Sequence, residues 1–185
     1  MIRFDRFTQK AQEALHAAQG HATDKRHSQL QAEHLLWALI EQKGGVVLPV
    51  LQKLDTDVPN LAKEVADAIS TLGRLSTPAV VQLSPQLGKI FQAAETEAAQ
   101  FKDEYVSTEH LLLAMTGAKD EAVSGLLEAH GVTKDAILKV LVSIRGSRKI
   151  TDPNPEAKYQ ALERYSHDLT ELARGGKLDP VIGRD

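Results

Sequence analysis

Two stretches of this chain, QAEHLLWALI at 31–40 and STEHLLLAMT at 107–116, share the phrase Glu-His-Leu-Leu at a separation of 76 residues. The spacing holds far beyond them. Carried without gaps, it pairs Thr8 with Ser84, Leu15 with Phe91, Ala17 and Ala18 with Ala93 and Ala94, and Ala22 with Ala98. It goes on to pair Leu30 with Val106, Leu39 with Met115, Val47 with Val123, Leu51 with Leu127, Leu61 with Ile137 and Val65 with Leu141. Apolar meets apolar and cap residue meets cap residue, so the chain carries an internal duplication with units near 7–70 and 83–146.

The punctuation within each unit is helical. Thr8 and Ser84 stand where an N-cap would, each before an alanine-rich segment, and Pro85 suits a first helical position, where a missing N–H costs nothing. In the second segment of each unit Leu35, Leu36 and Leu39 match Leu111, Leu112 and Met115, an apolar stripe at helical spacing. Third and fourth segments follow at about 46–54 and 58–70, then at about 119–130 and 133–145, separated by Gly44-Gly45 and Asp57 in one unit and by Gly117 and Gly131 in the other. The reading is four helices per unit and eight in all, with GRLSTPAVVQL running extended between the units.

After Arg145 the composition changes to GSRKITDPNPE, whose two prolines, Asn and Asp deny regular structure and mark a linker. A further helical pattern follows in AKYQALERYSHDLTELAR, with Leu162, Tyr165, Leu169 and Leu172 at spacings of three and four before Gly175-Gly176 stops it. A chain that ends so soon after such a helix reads as a piece of something longer.

With 42% hydrophobic and 25% charged residues the composition is that of a globular domain. The absence of cysteine removes disulfides and thiolate chemistry. No apolar run approaches the roughly 20 residues of a membrane helix, and a net charge of −3 without a basic block gives no nucleic-acid footprint. The expected location is the cytoplasm. Glu33 and His34, being adjacent on a helix, cannot converge on one ion, and no second histidine lies four residues on, so the zinc-protease spacing fails. A metal site shared by His34 and His110 would have two ligands where three or four are needed, leaving structural or capping roles for both. Gly176-Lys177 has Glu171 where a P-loop has glycine and Leu178 where it has Ser or Thr, so these residues should not hydrolyse ATP. What remains is binding at the seam between the units.

The duplicated AEHLLWAL and TEHLLLAM, the opening FDRFTQKAQEAL and the closing YSHDLTELARGGKLDPVIGRD resemble the amino-terminal region of the Clp family of AAA+ ATPases, over the whole chain. The phrase RGSRKITDPNPEAKYQALERY is most similar to the ClpB branch, the ATP-driven protein disaggregases. The resemblance implies an all-α fold of two pseudo-twofold four-helix repeats plus a C-terminal linker helix leading to an ATPase module. The expected division is a substrate-binding domain at 1–146, a linker at 147–158, and a linker helix with the start of the first AAA+ module at 159–185. It also implies a chaperone part that binds unfolded or aggregated polypeptides and helps deliver them to a homohexameric ATPase ring. The alternative is the N-domain of a ClpC- or ClpA-like unfoldase that binds adaptors or marked substrates for a peptidase. Thr8, Asp103 and Glu109 fall on positions the family uses for substrate engagement, although Thr8 can also cap a helix, Asp103 close a loop and Glu109 offset a helix dipole. Leu87, Phe91, Leu111 and Met115 are candidates for an apolar groove beside them. Pro180, Val181, Ile182 and Gly183 would touch nucleotide only in a full-length parent. ATP, magnesium and a DnaK-type partner system belong to that parent, and no metal or cofactor is expected in this chain, which should be a monomer.

Overall fold

A computed structural model describes residues 1–119 and 121–159. Residues 155–159 are helical, and the expected linker helix beyond 159 and Pro180–Gly183 lie outside the described residues. The first unit contains α1 (Gln9–Asp24), β1 (Gln29–Leu30), α2 (Ala32–Glu41), α3 (Val47–Lys53) and α4 (Val58–Ser70), and the second contains β2 (Gln82–Leu83), α5 (Pro85–Gln100), α6 (Thr108–Thr116), α7 (Ala122–Ala129) and α8 (Lys134–Arg145). The architecture is the all-α, eight-helix pair expected from the repeat.

Caps set the helix starts as the sequence indicates. The Thr8 side chain accepts from the Ala11 N–H and Ser84 from the Leu87 N–H, with Pro85 in the first turn. Asp57 and Thr133, again 76 residues apart, cap α4 and α8 in the same way. The chain leaves α1 and α5 through matched left-handed residues, Arg26 at φ 59° and Lys102 at φ 57°.

The two units meet by reciprocal exchange. The Thr8 N–H donates to the Val106 carbonyl at 2.9 Å, and the Ser84 N–H donates to the Leu30 carbonyl at 3.1 Å. Each unit therefore ties the start of its first helix to the segment before the second helix of the other, which is the hydrogen-bond signature of a pseudo-twofold axis. The short parallel ladder of β1 with β2 belongs to this seam. At its centre α2 and α6 are enclosed, and the leucines of both phrases are core. Phe4, Phe7 and Phe91 close one end with ring centroids 5.4 to 5.7 Å apart.

α8 ends on Gly146 at φ 59° and ψ −132°, a conformation that glycine adopts without the Cβ penalty. The turn sends residues 147–159 back onto the domain rather than away from it. Residues 147–154 are irregular in structure, and Ile150, Glu156 and Tyr159 are buried.

Candidate functional site

The two histidines of the repeated phrase stand at the third position of their helices, and each reaches back. The Gln31 N–H donates to His34 Nδ1 at 3.0 Å, and the Ser107 N–H donates to His110 Nδ1 at 2.9 Å. A neutral ring that accepts at Nδ1 carries its proton on Nε2, so each histidine holds one donor for a residue seven positions before it. In the second unit His110 Nε2 lies 2.9 Å from Asp103 Oδ2. In the first, His34 Nε2 lies 2.8 Å from His27 Nδ1. Burial, helped by the neighbouring His27 and His21, lowers His34 to about 4. Among the described residues no group of three or more metal-capable side chains converges.

Asp103 is the hinge of a larger arrangement. Arg145, the last residue of α8, donates through Nη2 to Asp103 Oδ1 at 2.8 Å and through Nη1 to Glu109 Oε1 at 3.3 Å, and its guanidinium lies 5.0 Å from the centre of the Phe101 ring. The three charged side chains are at most 3% exposed. Burial alone would raise the Asp103 carboxyl, but the hydrogen bonds from His110, Arg145 and the Ile150 N–H outweigh it and hold Asp103 at about 2. Such a buried triad is an expensive way to stabilise a fold and a selective way to shape a cleft.

Thr8, Asp103 and Glu109 are thus brought into one neighbourhood, although their sequence positions span the domain. Thr8 reaches it through Glu156, to whose Oε1 its hydroxyl donates at 2.9 Å. All three residues are buried, and residues 147–159 cover them. Sequence reasoning missed Arg145, Ile150, Glu156 and Tyr159. A signal for Arg145 existed: it continues the apolar i, i+4, i+8 run of Ile137 and Leu141, and the offset of 76 pairs it with Ile69.

The expected groove residues require correction. Leu87, Phe91, Leu111 and Met115 are at most 1% exposed and belong to the core. Periodicity tells which residues share a helix face, but not whether that face meets another helix or solvent. The open groove lies on the next face of the same two helices. It has a volume of about 400 Å³ and is lined by Ile90, Ala93, Leu113 and Ala114, with Lys89 and Lys119 on its rim. Lys134 closes one side through a 2.6 Å bond to Glu97. The matching place in the first unit, lined by Ala14, Ala17, Trp37 and Ala38, is smaller at about 260 Å³. There the Trp37 ring, stacked 3.9 Å from His21, stands where Leu113 stands in the second unit.

Comparison with known proteins agrees with this fold. The model of the Clp repeat (R) N-terminal domain matches residues 6–130. The chaperone protein ClpB of Rhodopirellula baltica is 40% identical over 184 residues, which cover 100% of this chain and 21% of that protein. ClpB of Bdellovibrio bacteriovorus is 42% identical over 179 residues, covering 96% of this chain and 21% of its own length. The chain therefore spans about a fifth of the curated relatives it matches. Among solved structures, the Hsp104 N-terminal domain from Candida albicans superposes with a TM-score of 0.72 at 22% identity, over 81% of this chain and 98% of that one. A complex of the ClpV N-domain with a VipB peptide gives 0.63 at 19% identity, over 75% and 86%.

Proposed function

Because the chain belongs to the Clp repeat N-terminal domain family, we propose that it is a non-enzymatic recruiting module that takes up segments of unfolded or aggregated protein for a ClpB-type AAA+ disaggregase. The observation that carries this reading is the open groove between α5 and α6. Its wall is apolar, with exposed Ala93 beside the nearly buried Ile90, Leu113 and Ala114, and the charged side chains of Lys89, Glu97, Lys119 and Glu121 stand around it. The ClpV N-domain, which shares the fold, has been captured with a peptide. In the parent protein, ATP and magnesium in the ATPase modules, a homohexameric ring, a DnaK-type partner system and the cytoplasm complete the proposal. Similarity to ClpB relatives across the whole chain, including residues 147–159, favours the disaggregase over a ClpC- or ClpA-like unfoldase.

The groove gives a clean test because Ala93 is exposed on a helix. Ala93→Glu places a carboxylate among apolar side chains at little cost to the helix. Titrated with fluorescently labelled α-casein, the variant should bind about tenfold more weakly while its circular dichroism and urea midpoint stay unchanged. Equal casein affinity in parent and variant would remove the groove from the function.

A further inference from the structure

Residues 147–159 lie in the Thr8, Asp103 and Glu109 cleft as a bound peptide would. The Ile150 N–H donates to Asp103 Oδ1 at 2.9 Å, and the Ile150 carbonyl accepts from the Glu104 N–H at 2.8 Å. The Pro153 carbonyl accepts from the Gln9 N–H at 2.7 Å. Ile150 and Glu156 are fully buried side chains, and Tyr159 is nearly so. Main-chain hydrogen bonds with one or two side-chain anchors are how an extended segment is held when its sequence is not strictly read.

The fit is good in shape and poor in charge. Glu156 brings a further carboxylate to face Glu109, while the Arg145 guanidinium is already bonded to Asp103 and Glu109. Among the described residues Glu156 Oε2, Glu109 Oε2 and the Tyr159 hydroxyl, all buried, have no hydrogen-bond partner. A buried acceptor left unmatched costs much of its lost hydration. A tethered segment also enjoys a high effective concentration, so only an imperfect one gives way to a competitor.

We infer that residues 147–159, irregular to 154 and helical over 155–159, are a displaceable internal occupant of this cleft, and that the competitor is a client segment carrying an amide or basic side chain where Glu156 now stands. The inference rests on the client-binding reading above and adds to it a second, covered contact. Gly146 at φ 59° supplies the turn at which the segment can leave without disturbing α8. Release also responds to pH. Burial, and then the Glu109 carboxylate facing it from α6, raise Glu156 to about 7. The other titratable and charged groups of the cleft are Tyr159 on the same segment, Asp103 and Arg145. A group whose pKa is raised on docking binds its proton more tightly when docked, so docking weakens as pH rises from 4.5 through about 7.

Glu156→Gln and the pair Ile150→Ala with Tyr159→Ala move the equilibrium in opposite directions in the full chain. The glutamine keeps the oxygen that Thr8 uses and places an N–H beside Glu109, so docking tightens; the alanines remove its anchors. Amide exchange at Gln9 and Glu104, whose N–H groups donate to the segment, reads docking without any client. It should slow about tenfold in Glu156→Gln, the worth of one hydrogen bond to a charged group, and quicken in the alanine pair, with Leu112 in α6 as the unchanged control. Affinity for α-casein should move the opposite way, falling in the first variant and rising in the second. A synthetic peptide of residues 148–159 should bind the alanine pair more tightly with Gln or Lys at position 156 than with Glu. Exchange at Gln9 and Glu104 that is indifferent to all three substitutions would overturn the internal occupant. Exchange that shifts while casein affinity does not would overturn the cleft as a client contact. In either case Ala93→Glu judges the groove separately.

Discussion

The two units share a fold to the level of single capping bonds, yet they seal their matched ends by opposite means. Positions 27, 34 and 69 of the first unit hold His, His and Ile; positions 103, 110 and 145 of the second hold Asp, His and Arg. The first end is therefore a neutral histidine pair beside an apolar contact. The second is a buried ionic triad with a histidine donating into it. The chain that follows each unit behaves accordingly. Arg74 bridges to His27, and Ile150, its partner at the offset of 76, docks on Asp103. Only the second segment carries a buried carboxylate and a tyrosine into its cleft. The duplicated scaffold is common to both halves, and the buried charge in one half sets its end apart from the other.

The largest effect that separates the halves is expected at their matched helix ends. Arg145→Ile copies the first unit's solution but strands Asp103 and Glu109, and urea unfolding at pH 7 should show a loss of roughly 3–5 kcal/mol. Ile69→Val at the equivalent place should cost about 1 kcal/mol. If Arg145→Ile were as stable as the parent, the acids would not depend on the arginine and the contrast would collapse.

A pH series sharpens the same comparison. His34 is neutral when folded down to about 4 and has an ordinary value of 6.5, so between those limits the unfolded chain takes up a proton that the folded chain refuses. Stability assigned to the first unit should fall by about 2–3 kcal/mol on going from pH 7 to pH 4. Asp103 contributes fully above its ordinary 3.8 and loses that contribution only as pH drops toward about 2. Urea midpoints followed through Trp37, the one tryptophan, in the Glu156→Gln variant, which lacks the carboxyl that gains stability over the same range, should therefore begin to drop below pH 6.5, well before the triad is touched. A flat profile from pH 7 to 4 would show that the histidine pair does not titrate as its burial requires.

The smallest expected difference lies at the two caps. Ser84→Ala should cost about 1 kcal/mol. Thr8→Ala should cost that and about 1 kcal/mol more, because its hydroxyl also donates to Glu156. Exchange at Gln9 should quicken only in Thr8→Ala, and equal behaviour of the two variants would show that the cap is all Thr8 does.

Much of this was legible before folding. The offset that pairs Thr8 with Ser84 and Glu33 with Glu109 exposed the repeat, and cap chemistry located the helix starts. The groove was misassigned because the helical spacing of Leu87, Phe91, Leu111 and Met115 shows that they share a face, whereas only the packing of α5 and α6 against their neighbours decides that this face is enclosed. Glu156 was read only as part of a linker, since nothing local distinguishes a polar residue in water from one folded back onto Thr8.

The sequence by itself determined the duplication, the helical class and the family, because these depend on periodicity and on short-range hydrogen bonds that neighbouring residues supply. The tertiary structure alone decided that Asp103, Glu109 and Arg145 form one buried network and that residues 147–159 lie over it. Those contacts join positions 36 to 148 residues apart, and their energies depend on burial, which no local stretch of sequence contains.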